Sequence, residues 1–476
     1  MADEDLHALG ADTFREEDRE DGAELDEENR LKRGFVDAVV EALGASDQAR
    51  VYELVEPLHP ADIADLVELL QPEQRRTLAA AITDLMTGEV IAELNDWVRD
   101  DMIEALPPEV VAEIAEQLET DDAVQLLEDL EPADQAAILA EMEPEDRAAI
   151  ESALSFPEET AGRLMQRELV AVPEHMTVGS LIDYLRNNDD LTTEFWEVFV
   201  VDHRHRPVGT CALSWILRAP RAVALADVMK RDQTLIPVTM DQEEVALRFQ
   251  KYALISAAVV DENGRLVGQI TVDDVVHIIQ EEAGEDVMLL SGAGDEGDIN
   301  QPVREAYGAR VRWLLANLVT ASLASFIISR FEDVIAQLVT LAVLMPIVAG
   351  IGGNAGTQTL AVTVRALATN QLTSHNTWRA VKREISIALL NGVTMAAVVG
   401  AAVSLIFGNP LLGGVIALAM VANIVIAGLA GVLVPLTLER LRADPAIASS
   451  VFVTMVTDSM GFLVFLGLAV ASGLVG

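Results

Sequence analysis

Asp458 is the residue whose type and position most clearly indicate chemistry in this sequence. It is the only ionisable side chain between Ala446 and Gly476, a stretch that is otherwise apolar and long enough to cross a bilayer. A carboxylate inside a membrane span is costly and typically marks an ion path, so cation binding is the first hypothesis. The alternative is a structural carboxylate that is kept neutral or is satisfied by Thr457 and Ser459.

The charges divide the chain at about residue 310. Residues 1–310 hold 71 Asp and Glu against 24 Lys and Arg, a net charge of −47, whereas residues 311–476 hold 6 against 8, a net charge of +2. The first part has the composition of a water-soluble region and the second that of a membrane region. The negative charge argues against nucleic-acid binding. The sequence contains no phosphate-binding loop and no nucleophile in a recognisable setting, so we expect a protein that is not an enzyme.

Uncharged runs in the second part predict five membrane spans, at residues 313–329, 334–364, two within 385–438, and 446–476. Gly408-Asn409-Pro410 separates the third span from the fourth, and we expect Gly350-Ile351-Gly352-Gly353 to break the second. Arg and Lys lie mainly on one side of these spans. Because basic loops stay in the cytoplasm, the acidic part is predicted to be cytoplasmic and the carboxyl terminus to lie outside.

The acidic part contains a helical repeat, in which an apolar residue recurs every 12 positions and a proline often follows two residues later. Proline costs nothing in the first turn of a helix, so this spacing predicts a superhelical stack of short helices. The apolar positions are Leu58, Leu70, Ile82, Leu94, Leu106, Leu118, Leu130, Met142 and Leu154, and the prolines are Pro60, Pro72, Pro108, Pro132 and Pro144.

A second duplication follows the helical repeat. Val200-Val201-Asp202 followed by Gly209 matches Val259-Val260-Asp261 followed by Gly268, at an offset of 59 residues. Each copy has the pattern of a helix, a strand, a turn, a strand and a helix. We expect the two copies to pack as a pair, because each alone would leave an apolar sheet face open.

With these elements in this order, the chain resembles the MgtE-type magnesium channels and transporters, which carry a helical acidic domain and tandem cystathionine-β-synthase (CBS) modules. The resemblance implies a multidomain fold with an α-superhelical N-terminal domain, α/β tandem CBS domains, a connecting plug helix and a five-span all-α transmembrane domain. The motifs that carry it are Gly352-Gly353-Asn354-Ala355-Gly356-Thr357-Gln358, Arg365-Ala366-Leu367-Ala368-Thr369, Ala309-Arg310-Val311-Arg312-Trp313-Leu314, and Asp458 with Gly461.

The resemblance and the composition together divide the chain into six regions. Residues 1–30 contain 13 acids and few large apolar groups, so we expect a disordered acidic tail. The predicted domains are the helical superhelix at 31–160, CBS module 1 at 161–225, CBS module 2 at 226–283, the plug or connecting helix at 284–310, and the five-helix transmembrane pore domain at 311–476.

For the pore, the resemblance implies a homodimer with a conduit on its twofold axis, lined by the second and fifth spans. Each subunit would contribute Asp458 and the backbone carbonyl of Thr454, while Asn354 and Gln358 would form the pore wall. Mg²⁺ releases its water reluctantly, so two carboxylates facing each other supply charge without stripping the hydration shell. The alternative role for Asn354 and Gln358 is hydrogen bonding between helices.

For the gate, the resemblance implies that cytosolic Mg²⁺ bound between the helical domain, the CBS pair and the plug closes the pore. The matching regulatory positions are Glu89, Asp121, Glu243, Asp274, Glu282, Glu285 and Asp286, whereas Gln125, Ala253 and His277 replace three other acids of the family. The alternative is that these acids only keep the protein surface solvated and bind no ligand. The chain has only 4 lysines against 28 arginines and 77 acids, a composition that resembles proteins adapted to a salt-rich cytosol.

ATP is an alternative ligand of the second CBS copy. Gly268, Thr271 and Asp274 match the CBS pattern that holds the nucleotide's ribose and phosphates, whereas the first copy has Trp215 where the acid belongs. Asp274 would then serve either ATP or Mg²⁺.

The sequence thus predicts a homodimeric, Mg²⁺-selective channel of the plasma (inner) membrane. It would cross the bilayer several times in contact with lipid and be closed by cytosolic Mg²⁺. The alternative is a secondary transporter of divalent cations coupled to protons or sodium, although the five unequal spans lack the paired repeats of such proteins. An anion channel regulated by CBS domains is disfavoured, because the carboxylate of Asp458 repels anions.

Overall fold

The computed structural model describes residues 24–26, 28–103, 106–128, 130–188, 191, 195–294, 297, 299–373, 375–447 and 449–475. Most of the predicted acidic tail, residues 1–23 and 27, lies outside these ranges. The chain forms two compact units, Met1–Val275 and Val276–Gly476.

Short helices build the first part of the first unit. Proline is the first residue of five of them, which begin at Pro60, Pro72, Pro108, Pro132 and Pro144, as the repeat predicts. Several of these helices pack against the next helix but one, and together they bury a continuous apolar core. Between residues 33 and 154 the described helices are α1 (Arg33–Gly44), α2 (Gln48–Val55), α3 (Pro60–Leu69), α4 (Pro72–Ala81), α5 (Gly88–Ala92), α6 (Asp96–Ile103), α7 (Pro108–Ala115), α8 (Thr120–Glu128), α9 (Pro132–Glu141) and α10 (Pro144–Leu154).

Two three-stranded sheets follow, and their strand pairing repeats the sequence duplication. In each sheet the first strand is parallel to the second and the second is antiparallel to the third. Val200 lies opposite Gly209 and Val259 opposite Gly268, and each pairing is followed by a register shift. The elements are β1 (Ala171–Pro173), α11 (Val178–Asn187), β2 (Glu197–Val201), β3 (Pro207–Ala212), α12 (Leu213–Arg218), α13 (Leu225–Val228), β4 (Leu235–Pro237), α14 (Gln242–Tyr252), β5 (Ser256–Val260) and β6 (Leu266–Thr271).

Helix α15 (Val272–Ser291) begins directly after β6. It continues through Gly284, so the domain boundary that we predict at residues 283 and 284 falls within one helix. Near its end, Leu289 is buried in an apolar cluster with Leu360, Val364 and Val453 of the membrane helices. The last turn of α15 therefore packs against two of the long helices of the second unit.

Among its described residues, the second unit contains five helices that are long and apolar enough to cross a membrane, which confirms the predicted number of spans. Gly408 has a positive φ of 60° and Asn409 accepts hydrogen bonds from the N–H groups of Leu411 and Leu412, so the third span ends and the fourth begins where predicted. The helices are α16 (Val303–Ser329), α17 (Glu332–Gln337), α18 (Thr340–Ala368), α19 (Thr377–Ile406), α20 (Pro410–Arg440) and α21 (Ser449–Ala471), of which α17 is too short to span.

The break expected at Gly350-Ile351-Gly352-Gly353 is wrong, because α18 runs through these residues as one helix. The interruption lies earlier, between α17 and α18. The glycines serve close packing instead: a Cβ on Gly352 would overlap the Asn423 amide, and one on Gly356 would lie 2.6 Å from Val453 Cγ1. Small residues let membrane helices approach closely. The helical repeat, the paired sheets and the five long helices together confirm the predicted fold class.

Candidate functional site

Asp458 lies in the middle of α21 and is half-buried. Among the described residues its carboxylate has no hydrogen-bond or ion-pair partner. Thr457 donates its hydroxyl to the Thr454 carbonyl oxygen over 3.0 Å, and the Ser459 hydroxyl is buried without a partner in the described part of the chain. Neither hydroxyl satisfies Asp458, so the geometry favours the ion-path hypothesis over the structural one.

The other predicted pore residues occupy two helices. Thr454 lies one turn before Asp458 on α21, and Asn354 and Gln358 lie one turn apart on α18 with exposed side chains. Gln358 lines a cavity of about 200 Å³ between α18, α19 and α20, and Glu384 lines the same cavity. Asp458 is not among the lining residues of this cavity. Within one chain, Gln358 and Glu384 thus line the same cavity, whereas the Asn354 side chain is exposed at the surface.

Glu384 is a buried carboxylate that the sequence reasoning missed. The Arg383 guanidinium donates to Glu384 Oε1 over 2.6 Å, and the Thr359 hydroxyl lies 3.5 Å from Oε2. This ion pair is locally neutral and does not attract a cation as the unpaired Asp458 does. An acid directly next to a base, as in Arg383-Glu384, is the sequence feature that could have predicted this ion pair. In the sequence analysis both residues only mark the start of the apolar run 385–438.

In the first unit, six carboxylates cluster where the helical stack meets the CBS pair. The first turn of α8 and the first turn of α15 supply most of them. Thr120 donates its hydroxyl to Glu168 over 2.8 Å, and the Gln166 side-chain amide donates to Glu119 over 2.8 Å. These bonds connect the helical stack to the CBS pair. We call this cluster the acidic junction; it comprises Glu119, Asp121, Asp122, Glu168, Asp273 and Asp274.

Burial and mutual repulsion raise the pKa values of four carboxyl groups of the acidic junction, those of Glu119, Asp121, Asp122 and Asp274. Burial, followed by the charges of Glu168 and Asp274, raises the pKa of Glu119 from 4.5 to about 7. Burial and Asp274 raise the pKa of Asp122 from 3.8 to about 6. The pKa of Asp121 lies well above its ordinary value, again chiefly because of burial. Burial also raises the pKa of Asp274, and its carboxylate lies close enough to Asp121 for the two negative charges to repel each other.

The acidic junction is not a ready-made set of direct metal ligands. Among the described residues, no three His, Cys, Asp or Glu side chains converge closely enough to hold a metal ion. Asp121 Oδ1 is also buried without a hydrogen-bond partner there. The site therefore concentrates negative charge that must be neutralised whenever the compact arrangement forms. Protons can neutralise it, and so can a cation that keeps its water shell.

The remaining regulatory candidates lie elsewhere. Glu89 is exposed in the first turn of α5, and the structure does not bring it into the acidic junction. Glu243 lies in the first turn of α14, where its backbone N–H donates to Asp241 over 3.0 Å. Glu282, Glu285 and Asp286 all lie on α15.

Asp286 belongs to a second acidic pair, in the second unit. Burial and the charge of Asp444 raise the pKa of the Asp286 carboxyl. Asp444 lies just before α21 and accepts a hydrogen bond of 2.7 Å from the N–H of Ala446. A cation held between Asp286 and Asp444 would therefore connect the plug end of α15 to the entry of the fifth span.

The acid of the ATP pattern is engaged in the acidic junction. Asp274 accepts a 2.8 Å hydrogen bond from the Thr271 hydroxyl at Oδ2 and lies beside the Asp121 carboxylate. These contacts occupy acceptor sites of Oδ2 and leave open whether Asp274 binds a ribose. ATP binding at the second CBS copy therefore remains a prediction.

We expect the attachment of the helical stack to the CBS pair to weaken as the pH rises in the absence of Mg²⁺. Because the pKa values of Glu119 and Asp122 are raised in the compact arrangement, that arrangement binds more protons than the separated one. Its stability is therefore greatest at low pH and is lost as the pH rises from about 4 to about 7. Spin labels at Glu113→Cys and Glu262→Cys in the full-length protein would report the distance between the helical stack and the second CBS copy, which we expect to increase with pH. A distance that is independent of pH would contradict this prediction.

Comparisons with known proteins agree with this geometry. The family model described as "Divalent cation transporter" matches residues 345–468, the "MgtE intracellular N domain" matches residues 58–159, and the "CBS domain" matches residues 225–281. The magnesium transporter MgtE of Thermus thermophilus is 35% identical over 325 residues, which cover 67% of this chain and 71% of that protein. The magnesium transporter MgtE of Bacillus subtilis is 31% identical over 319 residues, which cover 67% and 70%.

Among solved structures, one similar chain is the cytosolic domain of the Mg²⁺ channel MgtE in complex with ATP. Its TM-score is 0.47 and its identity 32%, and the match covers 51% of this chain and 99% of that one. Two relatives above 30% identity that are covered over more than two thirds of their length identify the family. The chain belongs to the MgtE family of magnesium transporters.

Proposed function

We propose that this chain is the subunit of a homodimeric, Mg²⁺-selective channel that admits Mg²⁺ into the cell and closes when cytosolic Mg²⁺ rises. The observation that carries the proposal is the half-buried Asp458 carboxylate, which lies in a membrane helix without a partner among the described residues. Glu384, the other acid that is at least partly buried in the described parts of the long membrane helices, is neutralised by Arg383. Asp458 is therefore the acid that can attract a cation into the bilayer.

In a homodimer, one acid per chain is enough to bind Mg²⁺, an ion that keeps its water shell. Two Asp458 carboxylates across a twofold axis face a hydrated Mg²⁺ from opposite sides, and the nearby Thr454 carbonyls accept hydrogen bonds from its water. The two charges balance the two charges of the ion. We assign Asn354 and Gln358 to the wall of the approach, where exposed amides contact water.

The gate follows from the two acidic clusters by linkage. Cytosolic Mg²⁺ neutralises the acidic junction and so favours the compact arrangement of the first unit. It likewise favours the approach of Asp286 to Asp444, which holds the buried Leu289 against α18 and α21. An ion that binds the compact state better than the splayed one shifts the population toward closure. With several sites, each needs only a modest difference in affinity.

The orientation and surroundings follow from the same elements. The first unit and the plug lie in the cytoplasm, and the carboxyl terminus after α21 lies outside the inner membrane. Exposed apolar side chains along α16 contact lipid, because this helix buries very few of its residues within the chain. The remaining regulatory candidates, Glu89, Glu243, Glu282 and Glu285, would contribute to screening between these cytoplasmic elements.

Flux through the reconstituted full-length protein tests the proposal. We expect Mg²⁺ uptake that follows the electrochemical gradient at clamped membrane potential, moves no protons, and is suppressed by Mg²⁺ on the cytoplasmic face. Uptake that requires an imposed proton or sodium gradient would favour a secondary transporter instead. Uptake that ignores cytoplasmic Mg²⁺ would leave the pore in place and reduce the acidic residues to solvation.

A further inference from the structure

Asn423 is a fully buried polar residue in the middle of α20, among apolar neighbours. Its Nδ2 donates a 2.9 Å hydrogen bond to the backbone carbonyl of Val348 on α18. Its Oδ1 is buried and has no hydrogen-bond partner in the described part of the chain. A buried polar group with one unpaired atom is costly, so its place in the bundle calls for a reason.

Two glycines on two other helices make room for this side chain. A Cβ on Gly352 of α18 would overlap the Asn423 amide, and a Cβ on Gly461 of α21 would lie 2.8 Å from Nδ2. The Asn423 side chain therefore fills a space that only glycine leaves open on both helices. It lies between α18 and α21, the second and fifth spans.

Gly461 connects Asn423 to the ion path. Asp458 lies three residues before Gly461 on α21, so the two positions are neighbours on the surface of that helix. The Asn423 side chain packs against Gly461 as a wedge, and so sets the distance between α21 and α18 at the level of Asp458. The hydrogen bond to the Val348 carbonyl fixes the height of the wedge along α18.

We infer that Asn423 is a positioning residue that sets the separation of α18 and α21 and thereby the location of the Asp458 carboxylate. The inference rests on the proposed function, because it takes these two helices as pore walls. A change in this separation changes the width of the conduit, and the width determines which hydrated cations fit. Asn423 acts through Asp458 and does not itself contact the ion.

A size-exchange experiment in proteoliposomes tests this inference. Gly352→Ala creates the overlap with Asn423, and we expect Mg²⁺ uptake to fall about tenfold or more. Asn423→Ala removes the wedge; we expect substantial uptake but a rise of about tenfold in Co²⁺ or Ca²⁺ uptake relative to Mg²⁺. In the double variant, the new methyl group occupies the vacated space, so uptake should return to the level of Asn423→Ala.

Gly350→Ala is the matched control, because no atom lies within 4 Å of the added Cβ and uptake should stay at the wild-type rate. If Gly352→Ala fails to fold, the rescue is measured as the amount of folded protein instead. The double variant should then yield folded protein by size exclusion in detergent. A double variant as defective as Gly352→Ala overturns the inference, and so does unchanged ion discrimination in Asn423→Ala. Absence of Mg²⁺ uptake by the wild type would instead refute the proposed function, and the folding comparison would still test the packing between these three helices.

Discussion

Replacing Asp458 by asparagine is expected to reduce Mg²⁺ uptake by about 100-fold, the equivalent of ~2.8 kcal/mol on the barrier to conduction. Asparagine has nearly the same shape as aspartate, so the bundle keeps its packing while each subunit loses one negative charge. No other described acid compensates, because Glu384 is already paired with Arg383 over 2.6 Å. The measurement is the initial rate of Mg²⁺ entry into proteoliposomes at clamped potential, with low Mg²⁺ on the cytoplasmic face.

Glu332→Gln is the matched control for this prediction. It removes the same charge from an exposed position in the first turn of α17, outside the long membrane helices, and uptake should stay near the wild-type rate. Thermal unfolding in detergent would verify that both variants keep their fold. Uptake by Asp458→Asn within about twofold of wild type would return Asp458 to a structural role and remove the basis of the proposed pore.

The parts of the fold that repeat in sequence could be predicted from sequence. Pro60 and Pro72 indicate where α3 and α4 begin, because the first turn is the position in a helix where proline costs least. The match of Val200 and Gly209 to Val259 and Gly268 predicts two sheets of the same design, and the strand registers agree. Such features depend on local backbone preferences, which a single sequence displays directly.

Features that depend on neighbours distant in sequence could not be predicted. The glycines around Gly352 are compatible with either a break or close packing, and only Asn423 on another helix decides between them. Likewise, Asp121 and Asp274 are 153 residues apart, and their raised pKa values arise from burial at the acidic junction. The sequence resemblance selected both acids, but the roles of Glu119 and Asp122 follow from three-dimensional proximity alone.

The paired variant Asp121→Asn with Asp274→Asn is expected to close the channel at a lower Mg²⁺ concentration. Burial raises the pKa of both carboxyl groups, and their charges repel each other, so their ionisation opposes the compact arrangement at neutral pH. Neutral amides keep hydrogen-bonding capacity and remove this opposition without a proton or a cation. We expect the Mg²⁺ concentration for half-maximal suppression of uptake to fall about 30-fold, the equivalent of ~2 kcal/mol between the compact and separated states.

Two readouts distinguish this screening mechanism from direct coordination. If the carboxylates acted as Mg²⁺ ligands, the paired variant would need more Mg²⁺ to close, and uptake would persist at high concentration. The absence of a converging set of three ligands among the described residues favours screening. Glu113→Gln with Glu262→Gln removes the same charge from exposed positions of the helical stack and the second CBS copy, and should leave the closing concentration within about twofold of wild type. An equal shift in this control would mean that net charge, and not the acidic junction, sets the gate.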